Sequence, residues 1–143
     1  YGTSRGGGAI EQNMQHVLTS ATSINGIDWR PTARLEIGLH QGEIGLSRPW
    51  RYDRNGVVHL FYSIRQAQYS IGVARKDPST GAWMRLTGDI LGPSSESWDG
   101  MATCYPSILN QNGRDYLFYS GNGYGKTGFG LAELEWNDDM RDV

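Results

Sequence analysis

Residues 105–120 read YPSILNQNGRDYLFYS, and fifty-seven positions earlier, with no gap, residues 48–63 read RPWRYDRNGVVHLFYS. The identities fall at Pro49/Pro106, Asn55/Asn112 and Gly56/Gly113. They resume through Leu60, Phe61, Tyr62 and Ser63 against Leu117, Phe118, Tyr119 and Ser120. Each copy is a short apolar strand, an Asn-Gly turn and a second strand. Asn-Gly between alternating hydrophobics is a strong hairpin signal, because both residues tolerate the positive φ that a type I′ turn demands. Each copy then runs into a Gly-x-Ala strand, residues 70–74 (SIGVA) and residues 128–132 (GFGLA). The unit is at least three antiparallel strands long, and a strand-built period of this size points to propeller blades.

Outward from these copies, the chain divides into residues 1–34 as a partial blade, 47–88 as a full four-stranded blade and 100–136 as most of another. Tyr1 to Ser4 reads as the end of a strand matching Leu-Phe-Tyr-Ser, followed by a glycine-rich loop. HVLTSATS at residues 16–23 parallels the YSIGVARK strand. Turns at Asn25-Gly26 and Thr80-Gly81 each precede a tryptophan, and Trp29 and Trp83 are expected to cap the space between neighbouring blades. Residues 31–46 and 87–104 read as crossovers, and the last eight residues, 136–143 (WNDDMRDV), as too acidic to continue as an outer strand. No segment carries a helical apolar period. The expected fold is all-β, a β-propeller-like series of antiparallel meanders, with a small sandwich or barrel as the alternative.

The 143 residues are enough for one domain with a real core. Thirteen basic and fifteen acidic residues give a net charge of −2, which argues against a nucleic-acid or membrane-surface partner. No apolar run is long enough for a transmembrane helix or a signal peptide, so the expectation is a soluble chain, cytoplasmic rather than secreted. The chain starts at Tyr1 without methionine, which reads as a fragment, a trimmed chain or a processed product. Propellers close with about four to eight blades. Two to three leave end faces and strand edges open, so the expected state is a homodimer or part of a larger chain, with Met14, Val17, Leu131 and Leu134 near the contact.

These phrases resemble the five-bladed β-propeller glycosidases of the arabinanase, xylosidase and fructosidase-like group, closest to uncharacterised bacterial members. The resemblance covers nearly the whole chain and about half a propeller. It rests on the Arg48-Pro49 and Tyr105-Pro106 strands, the Leu-Phe-Tyr-Ser strands, the Gly-x-Ala strands, and TSINGIDW at residues 22–29, with Asn25 where the group carries Asp. It implies a glycan ligand near the starts of the inner strands, and in an active member three acids around the central channel. Glycoside hydrolysis needs two carboxylates about 5–10 Å apart.

Here the inner strands carry Ser47-Arg48-Pro49 and Thr103-Cys104-Tyr105-Pro106, and the nearest acids are Glu43, Glu96 and Asp99. Relatives in the resembled group carry a Glu where this chain has Met101. Asp99 is the catalytic candidate, read either as a turn residue satisfying backbone amides or as a carboxylate at the channel mouth. Arg48 and Tyr105 hold equivalent places and are ligand-binding candidates, with a structural ion pair as the alternative for Arg48. The segment GNGYGKTGFG at residues 121–130 adds Asn122, Tyr124 and Lys126 to the ligand-binding candidates, against a plain hairpin loop. Its spacing is wrong for a phosphate loop. His16, His40 and His59 follow no metal spacing, so neither metal nor cofactor is expected. Cys104 reads as buried packing, and Phe61, Tyr62, Phe118 and Tyr119 as blade core.

Three functional readings stay open. They are a carbohydrate-binding or glycosidase-like module with an incomplete carboxylate set, a non-catalytic assembly module, and a glycoside hydrolase completed by a second chain.

Overall fold

The computed structural model describes residues 1–5, 15–86, 88–96 and 98–136. Three antiparallel meanders follow one another: β1 (Gly2–Arg5), β2 (Gln15–Thr22) and β3 (Arg30–Ile37); β4 (Gly45–Arg54), β5 (Val57–Arg65), β6 (Tyr69–Lys76) and β7 (Trp83–Arg85); β8 (Cys104–Gln111), β9 (Arg114–Ser120) and β10 (Phe129–Glu133). A single turn, α1 (Asn122–Gly125), precedes β10. The fold is all-β and propeller-like. The first two meanders join through one parallel bridge, His16 to Gly45, and the second meets the third through a parallel bridge from Tyr69 to Ala102. Gly45 and Ala102 are fifty-seven residues apart, one at the first residue of β4 and the other just ahead of β8, so the two bridges fall at equivalent places.

The hairpin turns form as their sequence dictates. Asn55 and Gly56 stand at φ 52° and 83°, Asn112 and Gly113 at 54° and 79°. The following strand of the second meander is buried on both faces. Phe61 points into a core with Ile71, Val73, Ile108, Leu117 and Trp136. Tyr62 points oppositely, into one with Leu18, Ile37, Leu46, Ile64 and Ala74. Burying each such ring contributes about 1.5–3 kcal/mol.

A buried carboxylate clasps the second meander to the third. Asp115, on β9, accepts hydrogen bonds from the Tyr52 hydroxyl, from Asn110 Nδ2 at 2.6 Å and from Trp136 Nε1 at 2.9 Å. It also pairs with Arg54, whose guanidinium lies 4.6 Å over the Trp136 ring.

Four expectations need correction. The segment after Trp29 is not all crossover: β3 runs from Arg30 to Ile37, with Pro31 on a strand that pairs β2 alone. Proline is tolerated there because an edge strand loses no ladder bond. Trp29 does not cap a core. It is 61% exposed and its Nε1 donates to Gly26 O at 3.1 Å, whereas Trp83 packs against the core around Tyr62. Phe118 is only half-buried where Phe61 is fully so, because no further strand among the described residues covers the third meander, while Tyr119, though half-buried, does pack against the Phe61 core. Val17 is already buried within the chain, Leu134 packs against the Phe61 core, and Met14 and residues 137–143 lie outside the described residues. Leu131 is 55% exposed.

Candidate functional site

The ladder between each inner strand and its neighbour breaks at one place, between Ser47 and Trp50 and between Cys104 and Ser107. The residues inside the breaks are Arg48-Pro49 and Tyr105-Pro106. Proline has no N–H for the ladder, so the strand bulges there. The residue before it takes up the extra turn: Arg48 stands at φ 49° and Tyr105 at φ 62°. The Tyr105 N–H then donates to Ser63 Oγ at 2.7 Å in place of a ladder bond.

These two bulges bring Arg48 and Tyr105 together. The Arg48 guanidinium lies 5.2 Å over the Tyr105 ring. Tyr124, from the single turn, stacks on Tyr105, with the ring centroids 5.8 Å apart and the rings 9° from parallel. Tyr69, at the start of β6, meets Tyr124 edge-on at 5.8 Å. Among the described residues Arg48 makes no ion pair. Burial raises the Tyr105 and Tyr69 phenols above their ordinary range, with Cys104 and Tyr124 adding to the first and a hydrogen bond to Tyr124 adding to the second. Arg48 and Arg65 pull the other way without reversing it. The cluster therefore offers neutral O–H groups, an aromatic face that is 61% exposed at Tyr124 and a cation. Such a set suits stacking against a ring and hydrogen bonding to hydroxyls or to an anion.

The glycine-rich segment is mostly packing. A Cβ on Gly121 would stand 2.6 Å from the Trp98 carbonyl oxygen, so only glycine lets the chain pass there. Thr127 Oγ1 donates to the same carbonyl at 2.5 Å, and Trp98 stacks on Tyr119 at 5.7 Å. Asn122 Oδ1 accepts from the Met101 and Ala102 amides at 2.8 and 3.0 Å. Its oxygen thus pins the chain ahead of β8. Lys126 is exposed and makes no ion pair among the described residues.

Asp99 and Glu43 are held by other partners. Asp99 is 3% exposed and is held by side-chain hydroxyls, not by backbone amides: Ser94 donates to one oxygen and Tyr119 to the other at 3.1 Å. Burial, with Asp99 next, raises the Tyr119 phenol, so it keeps the proton it donates. Glu43 pairs with Arg85 at 2.5 and 2.8 Å and accepts the His40 N–H at 2.7 Å. Glu96 is exposed. Cys104 is fully buried, which pushes its thiol up to about 11 and leaves it inert at neutral pH. No group of three or more His, Cys, Asp or Glu is gathered for a metal among the described residues.

Sequence reasoning missed Tyr69 as part of this cluster. The available signal was the position of Tyr69 at the first residue of the Gly-x-Ala strand, where that strand meets the next inner strand. A separate cleft of about 930 Å³ opens between the first two meanders, lined among others by Leu18, Trp29, Pro49, Arg51, Leu60 and Trp83.

No family model matches the chain. It is 33% identical over 137 residues to two Mycobacterium tuberculosis proteins, Uncharacterized protein Rv1502 of strain H37Rv and Uncharacterized protein MT1551 of strain CDC 1551. Each match covers 94% of this chain and 46% of the relative, so the chain spans about half the length of the curated relatives it matches. Among solved structures it resembles one described as a glycoside hydrolase, with a TM-score of 0.68 and 16% identity over 96% of this chain and 40% of that one. A second, described as a BT0996 RGII complex, gives 0.64 and 16% over 93% and 39%. At this identity the likeness is one of fold. No helix among the described residues is long and apolar enough to cross a membrane.

Proposed function

We propose that the chain is a carbohydrate-binding, glycosidase-like propeller module whose own carboxylate set is incomplete. The observation that carries this reading is the meeting of Arg48 and Tyr105, from the starts of neighbouring inner strands, with Tyr124 and Tyr69. Bulges fifty-seven residues apart hold two of them outward. The glycoside hydrolase fold supports the reading, as does the mention of RGII in the second neighbour's description. The ligand is a glycan or small sugar. Its ring lies on Tyr105 and Tyr124, its hydroxyls or carboxylate meet Arg48, and Lys126 reaches the rim. Asn122 contributes by fixing the turn. Hydrolysis would require carboxylates besides Asp99, supplied by another part of a longer chain or by a second chain.

Arg48→Ala and Tyr105→Ala are each expected to weaken sugar binding by about 1–3 kcal/mol, through the lost charge-assisted and stacking contacts. Titration calorimetry with neutral and acidic mono- and oligosaccharides measures this, and circular dichroism checks that both variants fold. Binding at millimolar sugar that both substitutions leave untouched would move the site elsewhere.

A second reading, an assembly module, rests on the outer face of the third meander. Phe129 and Leu131 are 76% and 55% exposed, whereas Ile71 and Val73, in the matching register on β6, are fully buried. A two-fold homodimer covering this face is the expected state of the isolated chain, since about 25 cal/mol is gained per Å² of apolar surface covered. Sedimentation at micromolar concentration should give a dimer that Leu131→Asp dissociates. A monomer at every concentration would remove this reading.

A further inference from the structure

The seam between the second and third meanders is filled by one hairpin. Tyr52 of β4 stacks on Trp136 at 6.1 Å, and His59 and Phe61 of β5 meet the same ring edge-on at 4.8 and 6.3 Å. They cover Ile108 and Leu117, which are 6% and 1% exposed. Fifty-seven residues earlier, Arg51 and Leu60 stand in the places of Ile108 and Leu117. Both line the open cleft between the first two meanders, with Trp29 exposed at its side. The cleft therefore sits where the seam hairpin is absent.

The backbone of the first meander agrees. Gly2 pairs with Leu18 as Ser63 pairs with Ile71, and Tyr1 exchanges hydrogen bonds with Thr19 at 2.9 and 3.0 Å, as Tyr62 faces Gly72. Tyr1 thus holds the place of Tyr62. Nothing among the described residues stands in the place of the hairpin at residues 45–61, and β1 pairs β2 alone. At about 30 Å³ per water, a cleft of about 930 Å³ takes the side chains of a strand pair and not of one residue. The curated relatives, of which the match covers 46%, have the length to supply such a segment.

We propose that the cleft and the free edge of β1 are the docking place of one β-hairpin of a longer chain. The hairpin pairs antiparallel along β1, as β4 does along β5, and sends aromatic side chains into the cleft between Leu18, Trp29 and Leu60. This is strand addition to an open sheet edge, with the cleft setting specificity. It is independent of whether a sugar binds at Arg48.

The test grafts a copy of residues 45–61 directly ahead of Tyr1, so that the grafted Phe61 precedes Tyr1 as it precedes Tyr62. The graft is expected to raise Tm by roughly 5 °C or more and to protect Trp29 from acrylamide quenching. A graft carrying Tyr52→Ala and Phe61→Ala in the added copy should lose most of both effects. As a second arm, the free peptide of the same sequence should shift Trp29 fluorescence of the unmodified chain saturably. Equal gains from the mutated graft would overturn the proposal, as would no change in either arm. So would a dimer of the unmodified chain that already protects Trp29 and resists the graft, since the cleft would then belong to a second copy.

Discussion

Asp115→Ala should lower the stability of the chain by about 3–5 kcal/mol, the loss expected when one partner of a buried ion pair is removed and the other is stranded. The Asp115 side chain is fully buried and that of Arg54 is 28% exposed. Without the carboxylate, Arg54, the Tyr52 hydroxyl, the Asn110 amide and the Trp136 indole all lose their acceptor at one seam. Asp115→Asn keeps an acceptor and should cost less. Urea denaturation followed by tryptophan fluorescence measures both. A loss below about 1 kcal/mol for the alanine variant would mean that apolar packing around Phe61 and Trp136 holds the seam without the clasp.

Glu43→Ala is expected to cost a similar amount, about 3–5 kcal/mol, by stranding Arg85 between the Glu43 site and the Tyr62 ring, 5.4 Å away. The two side chains are 5% and 11% exposed. This pair also sets a pH dependence. Burial is the largest influence on Glu43 and pushes its carboxyl up, yet the hydrogen bond and charge of Arg85 and the His40 N–H together outweigh it. The folded-state pKa therefore lies below the ordinary 4.5. A carboxyl lowered on folding stabilises the fold fully above its unfolded value, and the contribution fades as pH falls through the folded one. Stability should thus drop below about pH 4.5, and Glu43→Gln should flatten that part of the acid limb. An unchanged acid limb would show that other carboxylates control acid unfolding.

The hairpins were legible because the signal is local: Asn-Gly dictates the turn and Leu-Phe-Tyr-Ser the strand. The strand β3 was not, since all but its last two residues are exposed and it carries Pro31, so it shows neither alternation nor an apolar run. Arg48 and Tyr105 were recoverable from their equivalent places before proline. Their partner Tyr69 had only its place at the first residue of the Gly-x-Ala strand to announce it, because the contact itself depends on how one meander turns against the next. The same holds for Asp115, which meets Tyr52 from 63 residues away. Asp99 takes hydrogen bonds, as a turn carboxylate does, but its donors are the hydroxyls of Ser94 and Tyr119, which no local pattern announces.

The bulges before Pro49 and Pro106 have a consequence for any attempt to improve this protein. A side chain in the left-handed region costs about 1–2 kcal/mol relative to the usual backbone, and glycine avoids most of it. Arg48 and Tyr105 both carry that cost. Selection for heat resistance alone would drift toward glycine at both positions and erase the cation and the ring that the bulges hold out. Thermal tolerance and ligand display are in competition at these two residues, so a screen of variants needs to score both at once.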